Sequence, residues 1–218
     1  MHIRPKPWAR PELEASPIFV PRPWEEKNHW RMRFAHPEHP LFGEFGCGKG
    51  QFMAQTAAAH PKANFIAVDM IDTMLGMARR KITIAQNTER PDNVLLTAWD
   101  VERIDHIFGP GEHFDGLFIN FCNPWPKRQK HKKRLTHIRQ LEKYKVFLAT
   151  QAVIHFKTDD DNLFKDSLGY FAAAGFAIAD IRRDLAATPI EGYAVTEHEA
   201  MFSTKGFPIK YARAVLKK

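Results

Sequence analysis

A glycine-rich segment early in the chain has residue types that could hold a cofactor. It reads E-F-G-C-G-K-G from Glu44 to Gly50, with Gly46 and Gly48 at the alternate positions, and it leads directly into a helix-favouring stretch. Glycine allows tight turns and close approach of a ligand to the backbone, and a helix amino terminus carries partial positive charge. We therefore expect a cofactor to bind at this loop.

Three kinds of cofactor loop share this general pattern, and the spacing distinguishes them. A dinucleotide fingerprint requires a third glycine where this chain has Gln51. A phosphate-binding loop matches Lys49 and the glycines before it, but it requires serine or threonine where this chain has Gly50. The pattern E-x-G-x-G-x-G of S-adenosylmethionine loops is satisfied in full, and Glu44 would attract the positive charges of that cofactor.

Polar side chains stand at the carboxyl ends of the first four predicted strands. Asp69 lies nineteen residues after Gly50, where a carboxylate can accept hydrogen bonds from ribose hydroxyls, and Asp100 is placed to meet an adenine amino group. Glu44 and Asn123 complete the set. Ligands of parallel α/β sheets bind at these strand ends, so we expect one pocket. The alternative for an acid taken singly is a helix cap.

The fourth predicted strand ends in the sequence N-F-C-N-P-W-P-K, which finishes at Lys127. Its two prolines fix the backbone where the strand ends. Asn123 can both donate to and accept from a base edge, and Trp125 could stack on a base. This pattern favours a turn that grips a substrate, and the alternative is a rigid turn with Trp125 in the core.

The positive charge of the chain is concentrated in one run. The net charge is +7, and the segment from Lys127 to Arg134 holds six lysines and arginines and no acid, so the remainder carries about +1. Local basicity is typical of a phosphate-contacting surface. The run indicates a polyanionic partner or, alternatively, a solvated lysine-rich loop.

Strand and helix patterns alternate after residue 40. Short apolar runs predict strands at Leu41–Phe45, Asn64–Val68, Val94–Trp99, Gly116–Phe121, Ala152–Phe156, Phe176–Arg182 and Ile209–Leu216. Helical spacing or composition predicts helices at Gln51–His60, Thr73–Gln86, His137–Leu148 and Asp161–Ala174. Parallel strands need crossover connections, so this alternation predicts an α/β fold with helices on both faces of the sheet.

Residues 1–40 read as a Pro-rich basic arm that precedes a domain at 41–218. The arm holds eight of the fifteen prolines, which disfavours regular helix or central strand. We expect an extended segment that packs on the domain or on a ligand, or else a frayed terminus.

Composition excludes several classes of protein. No apolar stretch approaches the roughly 18 residues of a membrane helix, and the first residues are too polar for a secretion signal, so we expect a cytoplasmic protein. Cys47 and Cys122 make neither a disulfide framework nor a zinc spacing. The histidines, including His36 and His39, show no metal pattern, and no metal is expected.

Taken together, these segments resemble the bacterial tRNA (guanine-N7)-methyltransferases. The resemblance rests on E-F-G-C-G-K-G-Q-F, on N-F-C-N-P-W-P-K and on the basic H-K-K-R-L at 131–135. It continues in F-K-T-D at 156–159, T-E-H-E at 196–199, F-S-T-K-G at 202–206 and the opening K-P-W-A at 6–9. These segments span nearly the whole chain.

The resemblance implies a Rossmann-like class I S-adenosylmethionine-dependent methyltransferase, with a seven-stranded, mostly parallel sheet and an antiparallel last strand. It implies methylation of guanine N7 in the tRNA variable loop, position 46 in tRNA numbering, by a monomer or homodimer. The cofactor contacts are expected at Glu44, Gly46, Gly48, Gly50, Asp69, Asp100 and Asn123. The substrate contacts are expected at Lys127, Asp159, Thr196, Glu197, His198 and Glu199, and the RNA contacts at Gln129, Lys130, His131, Lys132, Lys133 and Arg134.

The chain departs from the family at Asn123, where the family usually has a catalytic aspartate. Guanine N7 offers a lone pair and no proton, so in-line methyl transfer needs no general base. A carboxylate would stabilise the cationic product, whereas an amide only orients the base. We expect Asn123 to act as the catalytic residue by positioning the guanine.

Other interpretations stay open. The chain could be an RNA-binding protein with a methyltransferase-like domain and no turnover, or a methyltransferase of exocyclic amino groups. Thr196 and Glu199 also have the spacing of a capping box, and Thr158 beside Asp159 could cap the following helix.

Overall fold

The computed structural model describes residues 4–190, 194, 196, 199 and 206–217. A sheet of seven strands forms its centre. The strands are β1 (Leu41–Phe45), β2 (Asn64–Asp69), β3 (Val94–Ala98), β4 (Phe114–Asn120), β5 (Leu148–Thr158), β6 (Phe176–Arg182) and β7 (Lys210–Leu216). The α-helices of the described residues are α1 (Ala9–Glu14), α2 (Gln51–Ala59), α3 (Asp72–Gln86), α4 (Ile138–Lys145) and α5 (Asp161–Ala173).

The strand order is β3-β2-β1-β4-β5-β7-β6. Strands β1 to β5 pair in parallel, and β7 runs antiparallel between β5 and β6. The predicted α/β fold with an antiparallel last strand is therefore confirmed. From β1 the chain continues to β2 and β3 on one side of β1, and it then crosses to β4 on the other side. The connections that follow β1 and β4 therefore run in opposite directions along the sheet. Such a switch point leaves a crevice at the carboxyl ends of the strands.

Two apolar clusters cover the two faces of the sheet. One packs α4 and α5 against the strands and includes Phe45, Tyr144 and Phe164, all nearly inaccessible to solvent. The other packs α1, α2 and α3 and includes Phe52 and Leu75. Helices thus lie on both faces, as the alternation of elements predicts. Burial on both faces explains why β1 to β4 read as short continuous apolar runs.

The predicted boundaries fail mainly around β5. The predicted helix His137–Leu148 ends at Lys145, because Phe147 and Leu148 join the sheet beside Phe114. Strand β5 then runs for eleven residues. Its first half carries exposed polar residues, so it lacked the apolar signal from which a strand was predicted.

The segment before β1 is ordered against the domain. The amide and carbonyl groups around Phe19 pair with Leu96 of β3, and the Trp30 indole is fully buried and donates to the Ile107 carbonyl at 2.8 Å. The expectation of an extended arm is wrong at α1, where Pro11 falls in the first turn of the helix and costs no intrahelical hydrogen bond. None of the helices in the described part of the chain is long and apolar enough to cross a membrane.

Candidate active site

A cavity of about 300 Å³ opens at the carboxyl ends of the strands, at the switch point between β1 and β4. Its wall includes Gly46, Asp69, Asp100, Asn123 and Trp125. Five residues that the sequence assigned to a site thus come from four different strand ends to one cavity. Leu135 and Lys133, which follow the Asn-Pro-Trp-Pro turn, close another side.

The glycine loop is held by the end of β2. The amides of Gly46 and Cys47 donate to the Val68 carbonyl at 2.8 and 3.1 Å, and the Gly48 amide donates to the Asp69 carboxylate at 2.9 Å. Gly46 and Gly48 have φ of 79° and 54°, in the left-handed region that glycine adopts readily. In the described part of the chain, no atom other than those of Gly48 and its two neighbours lies within 4 Å of the position that a Gly48 Cβ would take, so open space remains there.

Gly50 has a different task from the other two glycines. Its amide donates to the Cys47 carbonyl, and a Cβ at this position would lie 2.4 Å from the Cβ of Ala78 in α3. The residue is buried and adopts φ of 69° where α2 begins. Gly50 therefore has a packing role, since only glycine lets α2 approach α3 this closely, and the cofactor contact expected there stays a prediction.

Both aspartates on the cavity wall are tied to the backbone. Asp69 accepts from the Gly48 amide through one oxygen and from the Ile71 amide through the other, at 2.9 and 3.0 Å. Burial raises the pKa of Asp69, although these backbone bonds oppose the shift. Asp100 accepts from the Glu102 amide at 2.9 Å and caps a short 3₁₀ helix. The capping alternative thus holds for Asp100, which nevertheless faces the cavity.

Glu44 is buried on β1, just before the glycine loop. One carboxylate oxygen accepts from the Asn120 amide nitrogen at 3.0 Å, and the other has no hydrogen-bond partner among the described residues. Burial raises the pKa of Glu44 to about 8, and the nearby Asp69 charge adds to this effect. A buried carboxyl with one unsatisfied oxygen has the chemistry to receive a cationic group.

Asn123 makes a local turn with its own side chain. Its side-chain oxygen accepts from the Trp125 backbone amide at 3.0 Å. The side chain is exposed, and its amide nitrogen takes no part in this hydrogen bond. Phe121 and Trp125 adopt φ of 51° and 42°, a strained conformation for such large residues. Strain of this kind clusters at functional sites, where the fold holds a side chain in a fixed direction.

Trp125 lies half-buried at the mouth of the cavity, so the alternative of a core tryptophan is wrong. The ammonium groups of Lys130 and Lys133 each lie 5.5 Å from its ring centroid. Lys133 also pairs with Glu102 at 3.4 Å. These two lysines connect the cavity to the basic run, whose residues Arg128–Lys133 form an exposed 3₁₀ turn.

Arg134 differs from the rest of the basic run. Its side chain is 1% exposed, pairs with Asp166 at 2.6 Å and donates to the Pro124 carbonyl at 2.7 Å. Arg134 thus has a structural role, in which it fixes the turn that carries Asn123 and Trp125. The RNA contact expected at this residue stays a prediction.

The remaining substrate positions lie near the end of β5. Thr196 and Glu199 form the reciprocal bonds of a capping box, since the Thr196 hydroxyl accepts from the Glu199 amide at 3.0 Å and the Glu199 carboxylate accepts from the Thr196 amide at 3.4 Å. Asp159 lies half-buried after β5, and Asp160, rather than Thr158, caps α5. Glu197 and His198 lie outside the described residues, and Lys127 is exposed.

The thiols and the histidines lie in ordinary packing or surface environments. Burial raises the pKa of the Cys47 thiol and raises the pKa of Cys122 to about 12, which keeps both protonated. Among the described residues, His36, Glu38 and His39 bring potential metal ligands within 4.8 Å of one another. They lie before β1, at the opposite end of the strands from the cavity.

Comparisons with known proteins identify the family. A family model described as a putative methyltransferase matches residues 38–212. The tRNA (guanine-N(7)-)-methyltransferase of Clostridium beijerinckii is 48% identical over 217 residues and is covered to 99%, as is this chain. The corresponding enzyme of Clostridium perfringens strain SM101 is also 48% identical, with 97% of each chain covered. This chain belongs to the tRNA (guanine-N7)-methyltransferase family.

Solved structures agree with this family's fold at much lower identity. An antibiotic-related methyltransferase matches 82% of the chain and 88% of its own length, with a TM-score of 0.58 and 15% identity. A 16S rRNA (adenine(1408)-N(1))-methyltransferase from Catenulisporales acidiphilia, solved with its cosubstrate SAM, matches 82% and 86% with a TM-score of 0.52. At 16% identity the latter supports the fold alone.

Lys157 lies near the candidate site and was not predicted from the sequence as a functional residue. Lys157 is buried, and its ammonium pairs with Glu199 at 2.9 Å. A lysine directly after the predicted strand Ala152–Phe156 was the available signal, because lysine is almost never buried without a partner.

Proposed function

We propose that the chain transfers the methyl group of S-adenosylmethionine to N7 of guanine in tRNA, at position 46 of the variable loop, in the cytoplasm. The observation that carries this proposal is the cavity itself. It joins the glycine loop and two carboxylates to Asn123 and Trp125, and the exposed basic turn lies beside it. The names of the relatives agree with this reaction.

The residues of the cavity fit S-adenosylmethionine. Glu44 and Gly48 do not line the cavity themselves but flank Gly46, which does. One buried oxygen of Glu44 has no partner among the described residues, so a cationic group would compensate it, and open space remains beside Gly48. Asp69 and Asp100 keep acceptor capacity for ribose hydroxyls and an adenine amino group, because each carboxylate has about four lone-pair sites. The cofactor supplies an electrophilic methyl group on a sulfonium.

The protein's contribution to the reaction is orientation and electrostatics. Guanine N7 carries a lone pair, so no side chain has to remove a proton. The Asn123 amide nitrogen can donate to guanine O6, because its oxygen is already engaged by Trp125. The exposed lysines before Arg134 would hold the phosphates. Asp159 directly follows β5, and Lys127 follows the Asn-Pro-Trp-Pro turn.

Asparagine is compatible with this role because the turn needs only a side-chain oxygen. Asparagine and aspartate both accept from the backbone amide two residues later. The Asn123→Asp variant therefore keeps the turn and adds a charge near the cationic product. The Asn123→Ala variant loses the side-chain hydrogen bond of the turn and the donor together.

The test compares these two variants with the parent protein on unmodified tRNA. Turnover of Asn123→Ala is expected to fall by about 100-fold, with the dissociation constant of S-adenosylmethionine changed less than about threefold. Turnover of Asn123→Asp is expected to equal or exceed that of the parent. Parent-like turnover of Asn123→Ala would contradict the positioning role, and tRNA binding without turnover in the parent would favour a binding protein.

A further inference from the structure

Lys157 is a buried lysine near the carboxyl end of β5. Its side chain is 2% exposed, and its strand β5 lies between β4 and β7 in the sheet. Burial of an ammonium is costly, so the fold has to supply compensating partners. The identity of those partners shows what the residue holds in place.

The side chain of Lys157 is attached to the segment that carries the capping box. Its ammonium donates to the Glu199 carboxylate at 2.9 Å, and the Ala194 carbonyl lies at 3.5 Å. The same Glu199 oxygen accepts from the Thr196 amide. Glu199 is itself only 13% exposed. Its carboxylate is therefore turned toward the protein interior, where it binds Lys157.

The backbone of Lys157 is attached to the turn that carries Asn123. Its carbonyl accepts from the Phe121 amide at 2.9 Å, immediately after the end of β4. In the β4–β5 register Lys157 is the partner of Asn120, whose side chain binds Glu44. Asp159 follows two residues later on the same strand. One residue thus contacts both parts of the chain that flank the proposed methyl acceptor.

We propose that Lys157 is a positioning residue, which holds Glu199 through its side chain and the Phe121–Asn123 turn through its carbonyl. The inference rests on the proposed function, because the two segments matter as a pair only if the guanine binds between them. Removal of either charge takes the oppositely charged partner from a buried ionised group, so the contact between Lys157 and Glu199 is expected to break.

The kinetic test uses Lys157→Met, Glu199→Gln, the double variant and Lys157→Arg. Rates are measured with unmodified tRNA at saturating S-adenosylmethionine, so that cofactor affinity does not enter. Each neutralising single variant is expected to lose about 100-fold in kcat/KM for tRNA, and the double variant no more than either single. Lys157→Arg is expected to recover part of the loss, since it keeps the charge.

A matched control separates positioning from stability. Trp30→Phe removes a buried hydrogen bond at a distance from the cavity and is expected to lower the melting temperature while kcat/KM stays at the parent value. If Lys157→Met behaves like this control, with a lower melting temperature and unchanged kcat/KM, the pair is merely structural and the proposal is overturned.

A second measurement does not depend on activity. Hydrogen exchange of the Glu199 amide, which donates to Thr196, is expected to accelerate about tenfold or more in Lys157→Met, while amides in β1 keep their protection. Unchanged protection at Glu199 would overturn the inference even if the parent methylates tRNA. An inactive parent would instead refute the proposed function, and the exchange rates would still decide whether Lys157 holds the segment.

Discussion

Replacing Glu44 by glutamine should remove a large pH dependence of stability. Burial raises the pKa of this carboxyl from 4.5 to about 8 in the folded protein. Between these values the folded state holds a proton that the unfolded state has released, so the free energy of unfolding falls as pH rises. The contribution is fully present below pH 4.5 and is lost as pH rises through about 8.

The magnitude follows from the pKa difference. The pKa of Glu44 differs by about 3.5 between the folded and unfolded states, and each pKa unit corresponds to about 1.4 kcal/mol of stability. The total is therefore on the order of 5 kcal/mol. The glutamine side chain of the variant cannot ionise, and its carbonyl oxygen can still accept from Asn120, as the carboxylate does at 3.0 Å. The variant should therefore match the parent at acidic pH and exceed it by several kcal/mol above pH about 8.

The assay is denaturant unfolding of the cofactor-free protein at a series of pH values from about 5 to about 9. The stability difference between Glu44→Gln and the parent should widen from pH about 5 to about 8 and stay constant above that. Glu142→Gln, which removes an exposed carboxylate from a surface pair with Lys145, serves as the control and should follow the parent. Parallel curves for Glu44→Gln and the parent would refute the reasoning.

The same carboxyl should couple cofactor binding to proton release. A cationic ligand beside Glu44 favours its ionised form, so the affinity of the parent for S-adenosylmethionine should rise up to tenfold per pH unit below pH about 8 and level off above it. Titration calorimetry in buffers of different ionisation enthalpy measures the proton directly. The parent should release close to one proton per cofactor at pH about 7, and Glu44→Gln should release none. Equal proton release by both proteins would show that Glu44 does not face the cofactor.

The remaining predictions concern the basic run and the glycine loop. Neutralising Lys130 and Lys132 together should reduce the slope of log affinity for tRNA against log salt by about 1.4 to 1.8, whereas Lys145→Gln on α4 should leave it unchanged. Arg134→Met should lower the free energy of unfolding by about 2 to 3 kcal/mol, because the side chain binds Asp166 and the Pro124 carbonyl. The salt dependence of its tRNA affinity should equal that of the parent. A weaker salt dependence with unchanged stability would contradict this role. Gly50→Ala should destabilise the protein by about 3 kcal/mol or more, and Gly48→Ala by about 1 to 2 kcal/mol. Both glycines have positive φ, but only a Cβ at Gly50 would collide with Ala78. Equal denaturation midpoints of the two variants would contradict the close approach of α2 and α3.

The sheet could be predicted because its strands are buried on both faces. Such strands read as short apolar runs, and the acids that follow them mark their carboxyl ends. Asp69, Asp100 and Asn123 reach one cavity for this reason alone. The first half of β5 was not predicted as strand, because exposed polar residues interrupt its apolar pattern.

The individual tasks of similar residues could not be predicted from local sequence. Arg134 stands in a run of exposed lysines, yet a contact with Asp166, 32 residues away, decides that it is buried. Gly50 matches the cofactor pattern, but its conformation serves the packing of α3. Lys157 likewise depends on Glu199, 42 residues later. Each of these outcomes is set by tertiary contacts that leave no periodic signal.

The most direct test of the account is the identity of the methylated base. The protein is incubated with unmodified tRNA and S-adenosylmethionine labelled in its methyl group, and the tRNA is then digested to nucleosides and separated by chromatography. The account predicts that the label appears in N7-methylguanosine and approaches one methyl group per tRNA. Label in a methylated adenosine, or none in a protein that binds both tRNA and cofactor, would contradict it.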